Sequence, residues 1–177
     1  MIKFYLKTFA LTAGLLFLGL LFSNLTMMGI RLAVADAFVN GTALALVLTL
    51  LIGTFHVVRV RKAAGPNSGR DIYSFPQVRE VSSRLDPERA FSVMRHYLEE
   101  VARLTVSDVD QAGGRLEARS GLTLMTFGNK VTVRVSRRES GGSHVTITSR
   151  PLTLALADYG ESLRAADAAA DHLRAQV

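Results

Sequence analysis

Three arginines and three threonines are the residues best placed to do chemistry in this chain. Arg119, Arg134 and Arg150 alternate with apolar residues in strand-like stretches, and Thr132, Thr146 and Thr148 share that parity. Guanidinium groups beside hydroxyls on one sheet face describe an anion or headgroup site, or a docking face, because the planar fork donates paired hydrogen bonds to carboxylate or phosphate. The same pattern also describes an ordinary charged sheet surface, with Glu117 balancing it.

Other reactive constellations are missing from the sequence. It holds no H-E-x-x-H, no P-loop, no G-x-G-x-x-G and no nucleophile elbow. Cysteine is absent, which excludes disulfides, thiolate catalysis and cysteine-based zinc sites. His96, His144 and His172 fall on separate elements without metal-ligand spacing and read as surface residues, and Glu99-Glu100 reads as a solvated helix face. No catalytic residue, metal site or cofactor is expected.

The net charge of +6 and the isoelectric point near 10.2 invite a nucleic-acid reading. The distribution argues against it. Lys3, Lys7, Arg31, Arg59, Arg61, Lys62 and Arg70 stand against Asp36 alone in the first 70 residues, whereas 14 basic and 14 acidic residues follow. The excess flanks two apolar runs, which makes it a topology signal.

Those runs are Thr8 to Ile30 and Ala37 to Val58, 23 and 22 residues without a charge. As helices each is long enough for a hydrocarbon core of about 30 Å. The short gap makes them antiparallel neighbours, so residues 1–60 read as a transmembrane hairpin with spans at about 8–30 and 37–58. Lys3 and Lys7 before the first run, and Arg59, Arg61 and Lys62 after the second, place both termini in the cytoplasm and the connecting loop outside. The last three form a collar for anionic lipid at the inner leaflet. Ala33-Val34-Ala35 also has the form of a signal-peptidase site. Cleavage there would leave the later domain on the same side, because the second helix still returns the chain.

Gly41, Ala45, Thr49 and Gly53 recur every four residues, as do the pairs Ala10/Gly14 and Gly19/Ser23. Such stripes let helix backbones approach closely in lipid, either within the hairpin or at a dimer seam. His56, one turn before Arg59, reads as an interfacial residue. No Asp, Glu, Lys or Arg lies mid-span, so an ion pathway has no support.

Residues 61–75 read as a basic and then flexible juxtamembrane linker, with an r.m.s. reach of about 20 Å. Residues 76–177 read as one α+β domain. Gln77 to Leu85 is a first strand with Val78 or Val81 inward. Asp86-Pro87-Glu88 starts a helix to about Ala102, with Ala90, Phe91, Met94, Leu98 and Val101 on its apolar face. Strands follow around Leu104–Val106 and Leu116–Ala118, a bulge is expected at Gly121, and Leu122 to Phe127 continues to a Gly128-Asn129 turn. Val131, Val133 and Val135, then Val145 and Ile147 beyond a Gly141-Gly142 hairpin, give two clear period-two runs. Asp158-x-x-Glu161 has capping-box spacing for a last helix to about Arg174, with Asp158 as N-cap and an alternative partner for Arg150. The expected architecture is a membrane α-helical hairpin plus a two-layer α+β domain. An antiparallel sheet of about five strands packs on two helices in the order β-α-β-β-β-β-α.

The stretch from Leu85 onward resembles a bacterial family known as domain of unknown function fourteen-ninety-nine. The likeness rests on Ser83-Arg84-Leu85-Asp86-Pro87, Arg115-Leu116-Glu117-Ala118 and Val131-Thr132-Val133-Arg134-Val135. It continues in Val145-Thr146-Ile147-Thr148-Ser149-Arg150 and Asp158-Tyr159-Gly160. The family has R-S-x-S-R after the hairpin, where Thr148-Ser149-Arg150 matches part. Ser162 stands near the family's Asn, followed by Arg164. The resemblance implies no activity. The element order is also similar to a reduced helix-grip domain, a likeness of fold alone.

Three functions arise as expectations. The first is a protein-interaction or assembly module tethered to the bilayer, with a protein partner or a second copy. The second is a lipid or apolar-ligand pocket between sheet and helices. The third is an enzyme of unrecognised type.

Overall fold

The computed structural model describes residues 2–65, 72–73, 75–122, 128–152 and 157–176. The chain divides into two compact units, Met1–Val58 and Arg59–Val177.

The first unit consists of α1 (Ile2–Leu25) and of α2 (Ile30–Ala63) as far as Val58, the last turn of α2 belonging to the second unit. Both are long and apolar enough to cross a membrane. At 1.5 Å per residue they extend for about 36 and 51 Å. The turn lies at residues 26–29, earlier than the charges suggested, so Arg31 and Asp36 belong to the first turns of α2. Asp36 accepts from Asn24 Nδ2 at 2.8 Å and Asn40 Nδ2 at 2.7 Å, a small polar knot that stands in for the expected charged loop. At its other end α2 runs on through Arg59, Arg61 and Lys62, which are therefore helical and not linker.

The every-fourth-residue stripe of α2 is the face it buries. Ala37, Gly41, Ala45, Thr49 and Gly53 are all buried. A side chain at Gly41 would meet the Phe17 backbone at 3.4 Å, and Thr49 Oγ1 lies 3.2 Å from Thr12 Oγ1. The α1 partner face is Phe4, Thr8 and Thr12. Ala10, Gly14, Gly19 and Ser23 face outward instead, and nothing lies within 4 Å of a side chain built at either glycine. His56 is buried, its ring stacked on Phe4 at 4.2 Å.

This seam carries a prediction. Because the neighbour of Gly41 is backbone, which cannot rotate away, Gly41→Leu is expected to cost about 1–3 kcal/mol by overpacking. The chain has no native cysteine, so Thr12→Cys with Thr49→Cys reports the seam. Oxidation should couple the pair efficiently in the parent hairpin and poorly once Gly41→Leu is added.

In the second unit, β1 (Gln77–Ser83) leads to α3 (Pro87–His96) and a π-helical turn at Tyr97–Val101. Then come β2 (Thr105–Asp110), β3 (Arg115–Arg119), β4 (Asn129–Arg137), β5 (Ser143–Pro151) and α4 (Glu161–Arg174). The five strands form one antiparallel sheet in the order β1-β5-β4-β3-β2, so the α+β architecture stands as expected. Asp86 caps α3 through its side chain, which accepts from Arg89 N at 2.9 Å, and Pro87 fills the first helical position.

One sheet face is covered by both helices. Val81, Leu116, Ala118, Val131, Val133, Val135, Val145 and Ile147 meet Ala90, Phe91, Met94, Leu98, Ala169, Ala170 and Leu173 in a single core. The alanines of α4 admit close approach to the sheet.

Details differ from expectation. Val81 is the inward valine of β1, and Val78 faces out at 44% exposure. The register shift falls between Val106 and Asp108 in β2, not at Gly121, which lies beyond the end of β3. Asn129 begins β4 and belongs to no turn. The expected strand over 122–127 lies, beyond Leu122, outside the described residues. Asp158 does cap α4, but from two positions outside the N-cap, which is Gly160 at φ 82°. Its carboxylate accepts from Gly160 N and Ser162 N, each at 3.0 Å, and lies buried away from Arg150.

Candidate functional site

The uncovered sheet face is built by register. Arg119 of β3, Lys130 of β4 and Arg150 of β5 align in one cross-strand row. The next row is Glu117, Thr132 and Thr148, and the third is Arg115, Arg134 and Thr146. Alternation of β-branched apolar residues with these polar ones forces the arrangement, because successive side chains point to opposite faces. The middle of this surface is a shallow depression of about 320 Å³ lined by Arg115, Glu117, Lys130, Thr132, Arg134, Thr146, Thr148 and Arg150.

Five cations on adjacent strands repel one another, and directly opposed like charges destabilise a sheet. Glu117 offsets part of this. Its side chain is only 9% exposed, it takes the Lys130 Nζ at 2.6 Å, and it accepts from Arg115 Nη2. Those two cations hold its carboxyl below the usual carboxylate range, against the upward push of burial. Arg119, Arg134 and Arg150 are exposed and form no ion pair among the described residues. The three arginines singled out in the sequence are thus brought to one face and left available, while Arg115 and Lys130 are engaged. Arg115 and Lys130 share the parity of their neighbours, so strand alternation alone was enough to find them.

The lowered pKa of Glu117 sets a pH dependence. A group whose folded pKa lies below its unfolded value contributes stability that is complete above the unfolded value. That stability is lost as pH falls through the folded one. Wild-type thermal stability should therefore drop through the acid range beneath about pH 4.3. Glu117→Gln should melt lower than wild type at neutral pH and lose that part of the acid slope. Melting curves of both proteins across pH check it, and parallel curves would refute the role of Glu117.

The remaining candidates lie elsewhere. Arg59, Arg61 and Lys62 are exposed on the last turns of α2, and Arg61 Nε donates to Tyr73 Oη at 3.0 Å. Gly41, Ala45, Thr49 and Gly53 are the hairpin seam. His96 is exposed, His144 lies on the outer sheet face, and His172 stacks on Tyr97 with centroids 4.7 Å apart. Burial pushes the Tyr97 hydroxyl up. Among the described residues no three His, Asp or Glu side chains are grouped to hold a metal ion. A second depression, about 630 Å³, opens beside the start of α3, with Phe91 and Val135 among its lining and Glu88, Gln111 and Arg137 at its polar parts.

Sequence reasoning missed a buried polar layer on the helix side of the sheet. Arg79 Nε donates to Asp167 Oδ1 at 2.5 Å, Arg79 Nη1 donates to Val78 O at 2.7 Å, and Ser162 Oγ sits 3.4 Å from Asn129 Oδ1. The signal was available in part, since Arg79 has the parity of Val81.

Fold and surface together define a two-helix hairpin joined to an α+β unit that presents a cationic sheet face. Against known proteins, no family model matches the chain and no curated protein matches it at a significant level.

Proposed function

We propose that this chain is an integral membrane protein whose cytoplasmic α+β domain is a docking module for a protein partner with an acidic surface. The observation that carries this reading is the set of three exposed arginines, Arg119, Arg134 and Arg150, with no ion pair among the described residues. Exposed guanidinium groups steer an acidic surface and set its register. Most of the helix-covered face is filled by core side chains, which favours the outer face for a protein partner. The likeness of its strands to an uncharacterised bacterial family is part of this reading and adds no activity. Lys3, Lys7, Arg59, Arg61 and Lys62 support a cytoplasmic side for both termini, with the bilayer and its anionic inner-leaflet lipid as the constant partner.

A photo-crosslinker placed at Thr146, in the row of Arg134, tests the module in living cells. One dominant protein adduct is expected, lost on Arg134→Glu. Absence of any adduct, or adducts indifferent to that substitution, would overturn the reading. A reporter fused after Val177 should be active only in the cytoplasm. The depression beside Phe91 supports a second reading, an apolar ligand. Native mass spectrometry of the gently released protein separates the two, since a retained small molecule favours the second.

A further inference from the structure

The Arg119–Lys130–Arg150 row is the last of the outer face at one end of the sheet, and two exposed leucines lie just beyond its cations. Leu122, three residues beyond Arg119, is 79% exposed, and Leu152, two beyond Arg150, is 38% exposed. Gly121, next to Leu122 in the chain, and Leu152 leave the sheet on either side of Gly128. Leu152 N donates to Gly128 O at 2.9 Å, and a side chain built on Gly128 would meet Gly121 O at 2.9 Å and Leu152 Cδ1 at 3.2 Å. The same end receives the chain from α2, because Gln77, the first residue of β1, pairs with Ser149.

We infer that this sheet end is a bilayer-contact site that takes anionic phospholipid. Arg119 and Arg150 engage the headgroup phosphates, and Leu122 and Leu152 enter the interfacial layer. Exposed leucines flanked by cations match the two layers such a surface offers, phosphates outside and acyl chain beneath. A protein partner with an acidic face would satisfy the arginines but not the leucines. Only 13 residues separate Ala63 from Gln77, so a bilayer holding the hairpin would be present to this sheet end at a high effective concentration. A modest intrinsic affinity then suffices. The inference rests on the hairpin being membrane-inserted and shares Arg119 and Arg150 with the proposed docking face, so lipid and protein partner would compete for them, whereas the leucines serve lipid alone.

The absence of native cysteine allows the full-length chain to carry a single nitroxide through Leu122→Cys, with Val109→Cys, 41% exposed in β2, as reference. Both are placed in nanodiscs of phosphatidylcholine alone or mixed with phosphatidylglycerol. Collision with oxygen against an aqueous relaxant reads membrane depth. The label at 122 should enter the interface in the anionic discs and far less in the neutral ones, while the label at 109 stays aqueous in both. Two basic residues at an anionic surface are together worth about 30-fold in partitioning. Arg119→Glu with Arg150→Glu should therefore return the label at 122 to water. Salt near 1 M, which shortens screening to about 3 Å, should do the same without any substitution. An aqueous label at 122 in anionic discs overturns the inference. So does equal depth in both lipids, or equal depth at 109.

Discussion

Arg79→Leu is expected to destabilise the α+β unit by about 3–5 kcal/mol, because it strips a buried carboxylate of its cation. Arg79 and Asp167 side chains are 9% and 15% exposed and meet at 2.5 Å between β1 and α4. In that setting Asp167 finds little water when the guanidinium is removed. The loss comes from taking the guanidinium away from a largely buried carboxylate more than from the worth of the pair itself, since a buried ion pair is often no better than apolar side chains of like volume. Arg79→Leu with Asp167→Leu should therefore recover most of the stability. Urea or thermal unfolding of the full-length detergent-solubilised chain, followed by the signal of the α+β unit, checks both. A double variant as unstable as the single one would mean that Arg79 acts through its bonds to Val78 O and Gln77 Oε1, at 2.7 and 3.4 Å.

That pair also marks where the sequence stopped being legible. Period-two alternation in β4 and β5 was long and regular, so Val131, Val133, Val135, Val145 and Ile147 could be assigned inward and Arg134, Arg150 and the threonines outward. The outer face emerged from those two strands. β1 alternates as regularly, but its inward positions are Gln77, Arg79, Val81 and Ser83, and polarity there does not reveal burial. Its direction is set by a partner 88 residues away on α4, and a distant partner leaves no local pattern. The hairpin shows the complementary case. Charge-free length located two helices, yet their ends lie elsewhere, because a helix continues past an apolar run wherever its backbone bonds persist. Arg31, Asp36, Arg59 and Lys62 are all helical. Four-residue spacing identified the buried face of α2 but not that of α1, where Phe4, Thr8 and Thr12 are buried and the small residues are not.

A similar lapse of periodicity carries the second large prediction. Leu98→Ala is expected to cost about 2–5 kcal/mol, and Val101→Ala less than about 0.5. In a regular α-helix from Pro87 the positions 91, 94, 98 and 101 share one face. The helix widens at Tyr97, where Ala102 N bonds to Tyr97 O at 2.8 Å, five residues back. The inserted residue rotates every later position of the turn. Leu98 stays fully buried and Tyr97 joins it at 8% exposure, stacked on His172, while Val101 turns out to 55%. Leu104 N then bonds to Leu98 O at 2.8 Å, so the wide turn leads the chain directly into β2. Unfolding of the two alanine variants discriminates the geometries, because each removes apolar bulk and differs mainly in burial. Equal losses would require Val101 to be buried with Leu98, which only an unbroken α-helix allows, and the π-helical turn would then be wrong.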